Sequence, residues 1–225
     1  RIADADIDAS NPRTAMRAIP SGHLKKWETW IFTIVSASLL VLAAFKLNPL
    51  AFRLSPLALV VTMLYSYTKR FTSLSHFWLG ISLAISPIGA WIAIKGQFDI
   101  LPILLGLAVM FWTAGFDIIY ACQDFNFDKR KGLHSIPVKL GIRVSLWISS
   151  GMHILTVCIL ISIGITSELG STYLTGVGIV MAILIYEHAI VKPDDLSRVN
   201  LAFFTLNGMV SLVLMVLSIA DLLMT

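Results

Sequence analysis

Seven apolar stretches, each long enough for one helical crossing of a bilayer, leave this chain few ways to fold. They cover about 29–45, 49–65, 74–94, 100–122, 144–165, 173–190 and 201–220. A hydrocarbon core of about 30 Å takes roughly 20 residues per helical crossing. The runs are apolar on nearly all faces and lack alternation, so they predict helices rather than strands. The expected fold is all-α: a polytopic transmembrane helical bundle forming a single membrane domain over 1–225. Composition agrees, since 57% hydrophobic and 13% charged residues cannot cover the surface of a soluble domain. Asn48-Pro49, Lys95-Gly96 and Lys192-Pro193 supply breakers between runs.

The net charge of +4 does not point to nucleic acid, because the basic residues sit in short connections between apolar runs. There they read as topology determinants. Lys46, Arg53 and Lys95 fall on one side, and the other 14 of the 17 Lys and Arg fall on the opposite side, which is expected to be cytoplasmic. Cys122 and Cys158 lie inside apolar runs and read as packing residues, with no disulfide or zinc framework. The chain opens on Arg1 among aspartates with no apolar run ahead of them, so a preceding segment is expected.

Chemistry concentrates on the basic side. Asp117, Tyr120, Asp124 and Asp128 would fall within an arc of about 80° on a continuous helix. Like charges stacked this way repel unless a cation sits among them, and carboxylates at a membrane boundary are costly and usually functional. Asp4 and Asp8 share a helical face in the same way, while Asp6 points away from them. An echo links the two clusters: each Asp-x-x-x-Asp precedes an Ile-Pro pair, Ile19-Pro20 and Ile136-Pro137, and then a membrane helix. Facing each other, the clusters would form a site of hard oxygen ligands suited to Mg²⁺, which prefers carboxylates combined with substrate phosphates. Lys69-Arg70, on the same side, would neutralise those phosphates, Arg by bidentate contact.

Aspartates at helix ends are commonly just solvated, and that reading suits Asp6, Glu28, Asp194 and Asp195. It does not suit a phased set in a chain with 13 acidic residues. Glu187, His188 and His153 read as polar contacts between helices. His23, His76 and His134 lack zinc spacing.

Asp117-x-x-Tyr120-x-x-x-Asp124-x-x-x-Asp128 resembles the second aspartate-rich motif of the UbiA-type intramembrane aromatic prenyltransferases. Asp4-x-x-x-Asp8 followed by Asn11-Pro12-Arg13-Thr14 resembles the latter part of their first motif. The stretch from Tyr65 through Lys69-Arg70 to Thr72 resembles their basic segment. The resemblance implies nine helices, of which the seven here are the third to ninth, in an N-terminally truncated chain whose motif Asn falls just before Arg1. It implies Mg²⁺ on Asp4 and Asp8 and a second on Asp117, Asp124 and Asp128, both bridging a polyprenyl diphosphate. Lys69 and Arg70 would hold the diphosphate, and Tyr120 would shield the allylic cation or bind a phosphate oxygen. The prenyl tail would lie among helices and membrane lipid. The wording is most similar to bacterial 4-hydroxybenzoate polyprenyltransferases of quinone biosynthesis, placing the enzyme in the inner membrane with its active site cytoplasmic. A futalosine-derived acceptor on the way to menaquinone is the alternative. A cation transporter, the rival from another class, would carry its carboxylates near mid-membrane on several helices.

Overall fold

The computed structural model describes residues 1–224. Seven helices are long and apolar enough to cross a membrane. They are α2 (Lys26–Leu47), α3 (Pro49–Thr68), α4 (Ser75–Lys95), α5 (Ile100–Ala121), α8 (Ile142–Thr166), α9 (Ser171–Ile190) and α10 (Asn207–Met224). Short helices α1 (Ala5–Ala9), α6 (Phe125–Lys131) and α7 (Ile136–Leu140) occupy the connections. Among the described residues no strand forms. All seven expected crossings are present, with ends shifted by a few residues.

Residues that begin and end these helices do so for local reasons. The Asn48 side chain accepts from the Ala51 amide at 2.9 Å, and Pro49 follows at the first helical position, where its missing N–H costs nothing. Helix α4 ends on Gly96, whose φ of +69° a Cβ would disfavour. Ser135 caps α7 ahead of Pro137. On the side away from the acidic clusters, Asp221 accepts from the amides of Gly170 (2.7 Å) and Tyr173 (3.1 Å), satisfying donors at the start of α9.

Helix α5 forms the centre of the bundle, packed between α4 and α8 and against the start of the last crossing. Two glycines permit that closeness. A Cβ at Gly80 would collide with the backbone of Met110, and one at Gly115 with the ring of His153. Small residues at such crossings let apolar helices approach where lipid offers no hydrophobic drive. Behind α5, Leu160, Tyr173, Val177, Val180 and Leu184 form the apolar core shared with α8 and α9. By contrast α2 buries only Ala44, and its Phe32, Ile34 and Leu39 are well exposed, a surface that only lipid or another helix suits.

The connections separate into two sets, as the charge count requires. Asn48 bonds to the carbonyls of Ile92 and Ala93, tying the α2–α3 turn to the end of α4 on the basic-poor side. On the other side the His134 amide donates to the Lys69 carbonyl at 2.7 Å, joining the α3–α4 turn to the segment after α6.

One local feature departs from the continuous helix expected through 117–128. The backbone tightens into a 3₁₀ turn at Cys122–Asp124 before α6 resumes. Helices often tighten this way at their C-terminal ends. The turn rotates Asp124 and Asp128 relative to Asp117 and Tyr120, so uniform 100° spacing does not describe the four.

Candidate functional site

All eight residues singled out in the sequence line one cavity of about 400 Å³: Asp4, Asp8, Lys69, Arg70, Asp117, Tyr120, Asp124 and Asp128. The cavity lies where α1, the α3–α4 turn, the end of α5 and α6 meet. Asp8, Asp117, Asp124 and Asp128 are each more than nine-tenths buried. Asp6 stays outside, its side chain 90% exposed and paired with Lys26.

Charges this buried require partners, and each carboxylate has one. Arg13 makes a two-pronged contact with Asp124, its Nε donating to Oδ1 at 2.9 Å and its Nη2 to Oδ2. Asn11 adds a third donor to that oxygen pair, from Nδ2 at 3.1 Å. Arg17 Nη1 reaches both oxygens of Asp8 at 2.7 and 2.8 Å. Lys69 Nζ lies 3.4 Å from Asp128, and Arg70 lies 3.7 Å from Asp4 while donating to the Ala3 carbonyl. His76 bonds to Asp117 at 2.7 Å. Burial alone would push the Lys69 ammonium down, but Asp128, Asp117 and Asp124 outweigh it and hold its pKa above the ordinary lysine value. For Arg13, burial is likewise overcome by Asp124, so the guanidinium stays charged.

The aromatic side of the cavity is built by an irregular turn. Residues Leu201–Leu206 form a π-helix, a widened turn found often at functional sites. It brings two consecutive residues, Phe203 and Phe204, to the cavity wall. Phe203 stacks on Tyr120 with ring centroids 4.1 Å apart, and Phe116 and Phe204 meet Phe203 edge-on. Asn207 holds this turn by donating to the carbonyls of Ala202 and Phe203 while accepting from Trp112 Nε1 at 2.7 Å. Arg13 lies over the Tyr120 ring, 4.8 Å from its centroid, and donates to its hydroxyl. Tyr120 thus contacts both a cation and an aromatic ring.

A sequence model of the UbiA prenyltransferase family matches residues 1–209. The chain belongs to this family. It is a multi-pass integral membrane prenyltransferase. A 4-hydroxybenzoate octaprenyltransferase of Paraburkholderia phytofirmans is 30% identical over 201 residues, covering 89% of this chain and 70% of that protein. The apo structure of a UbiA homologue from Aeropyrum pernix K1 superposes with a TM-score of 0.89 at 33% identity, over 98% of this chain and 82% of that one. A UbiA homologue from Archaeoglobus fulgidus, solved with DMAPP and Mg²⁺, shares the fold with a TM-score of 0.65 at 21% identity, over 96% of this chain and 81% of that one.

Several residues in or directly behind the cavity of this prenyltransferase carried no role in the sequence alone. Arg13, Arg17 and Asn11 follow the first aspartate pair closely, and the charge of the two arginines beside those acids was the available signal. His76 had only its place in the first turn of a membrane helix on the charged side. Phe203 and Phe204 looked like any other lipid-facing pair. Elsewhere, the expected polar contact between helices forms for the two histidines, with His153 Nδ1 and His188 Nε2 3.0 Å apart, but not for Glu187, which is fully buried with no hydrogen-bond partner to its carboxyl oxygens among the described residues. Cys122 and Cys158 are both free.

Proposed function

We propose that this UbiA-family enzyme transfers a polyprenyl group from its diphosphate to a 4-hydroxybenzoate-like aromatic acceptor, with Mg²⁺ held by the two aspartate clusters. The observation that carries this reading is the cavity itself, which five carboxylates and five basic side chains line together with an aromatic wall. The Mg²⁺ and DMAPP bound by the Archaeoglobus homologue and the octaprenyltransferase activity of the Paraburkholderia relative support it.

The donor set suits the ion. All five candidate ligands are hard carboxylate oxygens, and no group of three or more acidic, His or Cys side chains among the described residues is placed to hold a metal by itself. Mg²⁺ is usually bound in that way, by one or two carboxylates with water and substrate phosphate completing the shell. Asp4 and Asp8 would hold one ion and Asp117, Asp124 and Asp128 the other. When bound, the ions supply Lewis-acid neutralisation of the diphosphate charge.

The chain's own residues supply the rest. Lys69, Arg70, Arg13 and Arg17 are the fixed donors for negative charge growing on the departing diphosphate as the allylic C–O bond breaks. Their carboxylate partners hold them at the cavity before substrate arrives. Tyr120, Phe203 and Phe204 line the cavity side by side. These rings shield the allylic cation from water and stabilise it through their negative faces. The acceptor ring then attacks that carbon and releases the proton from the attacked ring position, restoring aromaticity, while the tail lies among helices and lipid.

The test is prenyl transfer from labelled polyprenyl diphosphate to 4-hydroxybenzoate in membranes carrying the full chain. Activity is expected to vanish with EDTA and to return with added Mg²⁺. Transfer that survives chelation would overturn the metal assignment. Product formed with a futalosine-derived acceptor but not with 4-hydroxybenzoate would overturn the acceptor.

The side of the membrane is tested separately. The charge asymmetry supports a cytoplasmic site in a bacterial inner membrane. In a background with Cys158→Ser, a cysteine placed at Lys95 should react with an impermeant maleimide added outside. One placed at Arg130 should react only after the membrane is opened. The reverse pattern would put the site on the outer face.

A further inference from the structure

His76 stands behind the cavity rather than in it. It occupies the first turn of α4, is fully buried, and contacts two groups in line. Its Nδ1 lies 2.7 Å from Asp117 Oδ2, and its Nε2 lies 3.4 Å from the Ile136 amide nitrogen. A backbone amide can only donate, so Nε2 presents its lone pair and the ring hydrogen sits on Nδ1. The Ile136 amide therefore selects the tautomer that donates to Asp117. The ring cannot turn over without losing both bonds.

This arrangement fixes more than the histidine. Asp117 lines the cavity, and with Oδ2 held from behind, Oδ1 is the oxygen left for a ligand there. The segment that orients His76 also bonds Lys69, since the His134 amide donates to the Lys69 carbonyl. Two residues of one connection thus set an acid on α5 and a base on the α3–α4 turn.

We propose that His76 is a positioning residue: through Nδ1–H it holds the Asp117 carboxylate in the orientation that binds the Mg²⁺–diphosphate, with its tautomer set by Ile136. This rests on the reading of Asp117 as a metal ligand. Partners that orient ligating groups typically contribute about 10–100-fold in metal affinity or activity.

The test measures Mn²⁺ binding by electron paramagnetic resonance, with an unreactive prenyl thiodiphosphate present, in the detergent-solubilised full chain. His76→Ala is expected to weaken Mn²⁺ binding by about 10–100-fold. His76→Asn places an amide NH₂ near the position of Nδ1 and is expected to restore binding to within about threefold. His76→Gln reaches the Ile136 side but not Asp117, and is expected to bind as poorly as His76→Ala. Should His76→Ala fail to fold, the comparison of Asn with Gln, similar in polarity, still decides. Equal binding by those two would overturn the proposal, as would wild-type binding by His76→Ala. Asp117→Asn separates the levels: if it loses Mn²⁺ while His76→Ala keeps it, only the histidine's role falls. If Asp117→Asn itself binds normally, the metal assignment of Asp117 falls, and the role of His76 falls with it.

Discussion

Asp117→Asn and Asp124→Asn are each expected to lower prenyl transfer by about 10²-fold or more while leaving the protein inserted in the membrane. Both substitutions preserve shape and remove the charge that metal and diphosphate chemistry requires. Asp117 and Asp124 are buried in the cavity wall, whereas Asp6 has its side chain 90% exposed beside Lys26. Asp6→Asn therefore serves as the matched control and should change turnover by about threefold or less. The measurement is turnover per amount of inserted enzyme. A control as damaging as the two test substitutions would mean that acidity of the whole surface, rather than the cavity carboxylates, carries the activity.

Arg13 carries the second large effect. It spans Asp124 and Tyr120 at once, and a lysine ammonium at the same position cannot reproduce the planar fork. Arg13→Ala is expected to reduce kcat/KM for the prenyl diphosphate by about 10²–10³-fold, the usual cost of losing one donor to developing charge. Arg13→Lys should recover only a small part of that loss, and KM for the aromatic acceptor should stay near the wild-type value. Full activity in Arg13→Lys would show that a point charge suffices and that the two-pronged contact is structural.

The acids and bases that line the cavity were legible from the sequence because membrane burial makes charge expensive. Asp8, Asp124 and Asp128 stand out in an apolar chain for the same reason that they must be partnered in the fold. Which partners they take was not legible. Arg13 reaches Asp124 across 111 residues of sequence, and His76 reaches Asp117 across 41. No local period encodes such pairings.

The sequence by itself determined the seven crossings, their alternation across the membrane and the set of acids and bases at one end. Run length, apolar composition and loop charge act locally, through the cost of burying backbone and charge in hydrocarbon. Only the tertiary structure decided that the two aspartate clusters share one cavity, because that depends on how α5 packs between its neighbours. It also decided the 3₁₀ turn that re-phases Asp124 and the π-turn that sets Phe203 against Tyr120. Both departures from regular helix are small in backbone energy, and contacts from distant parts of the chain are enough to select them.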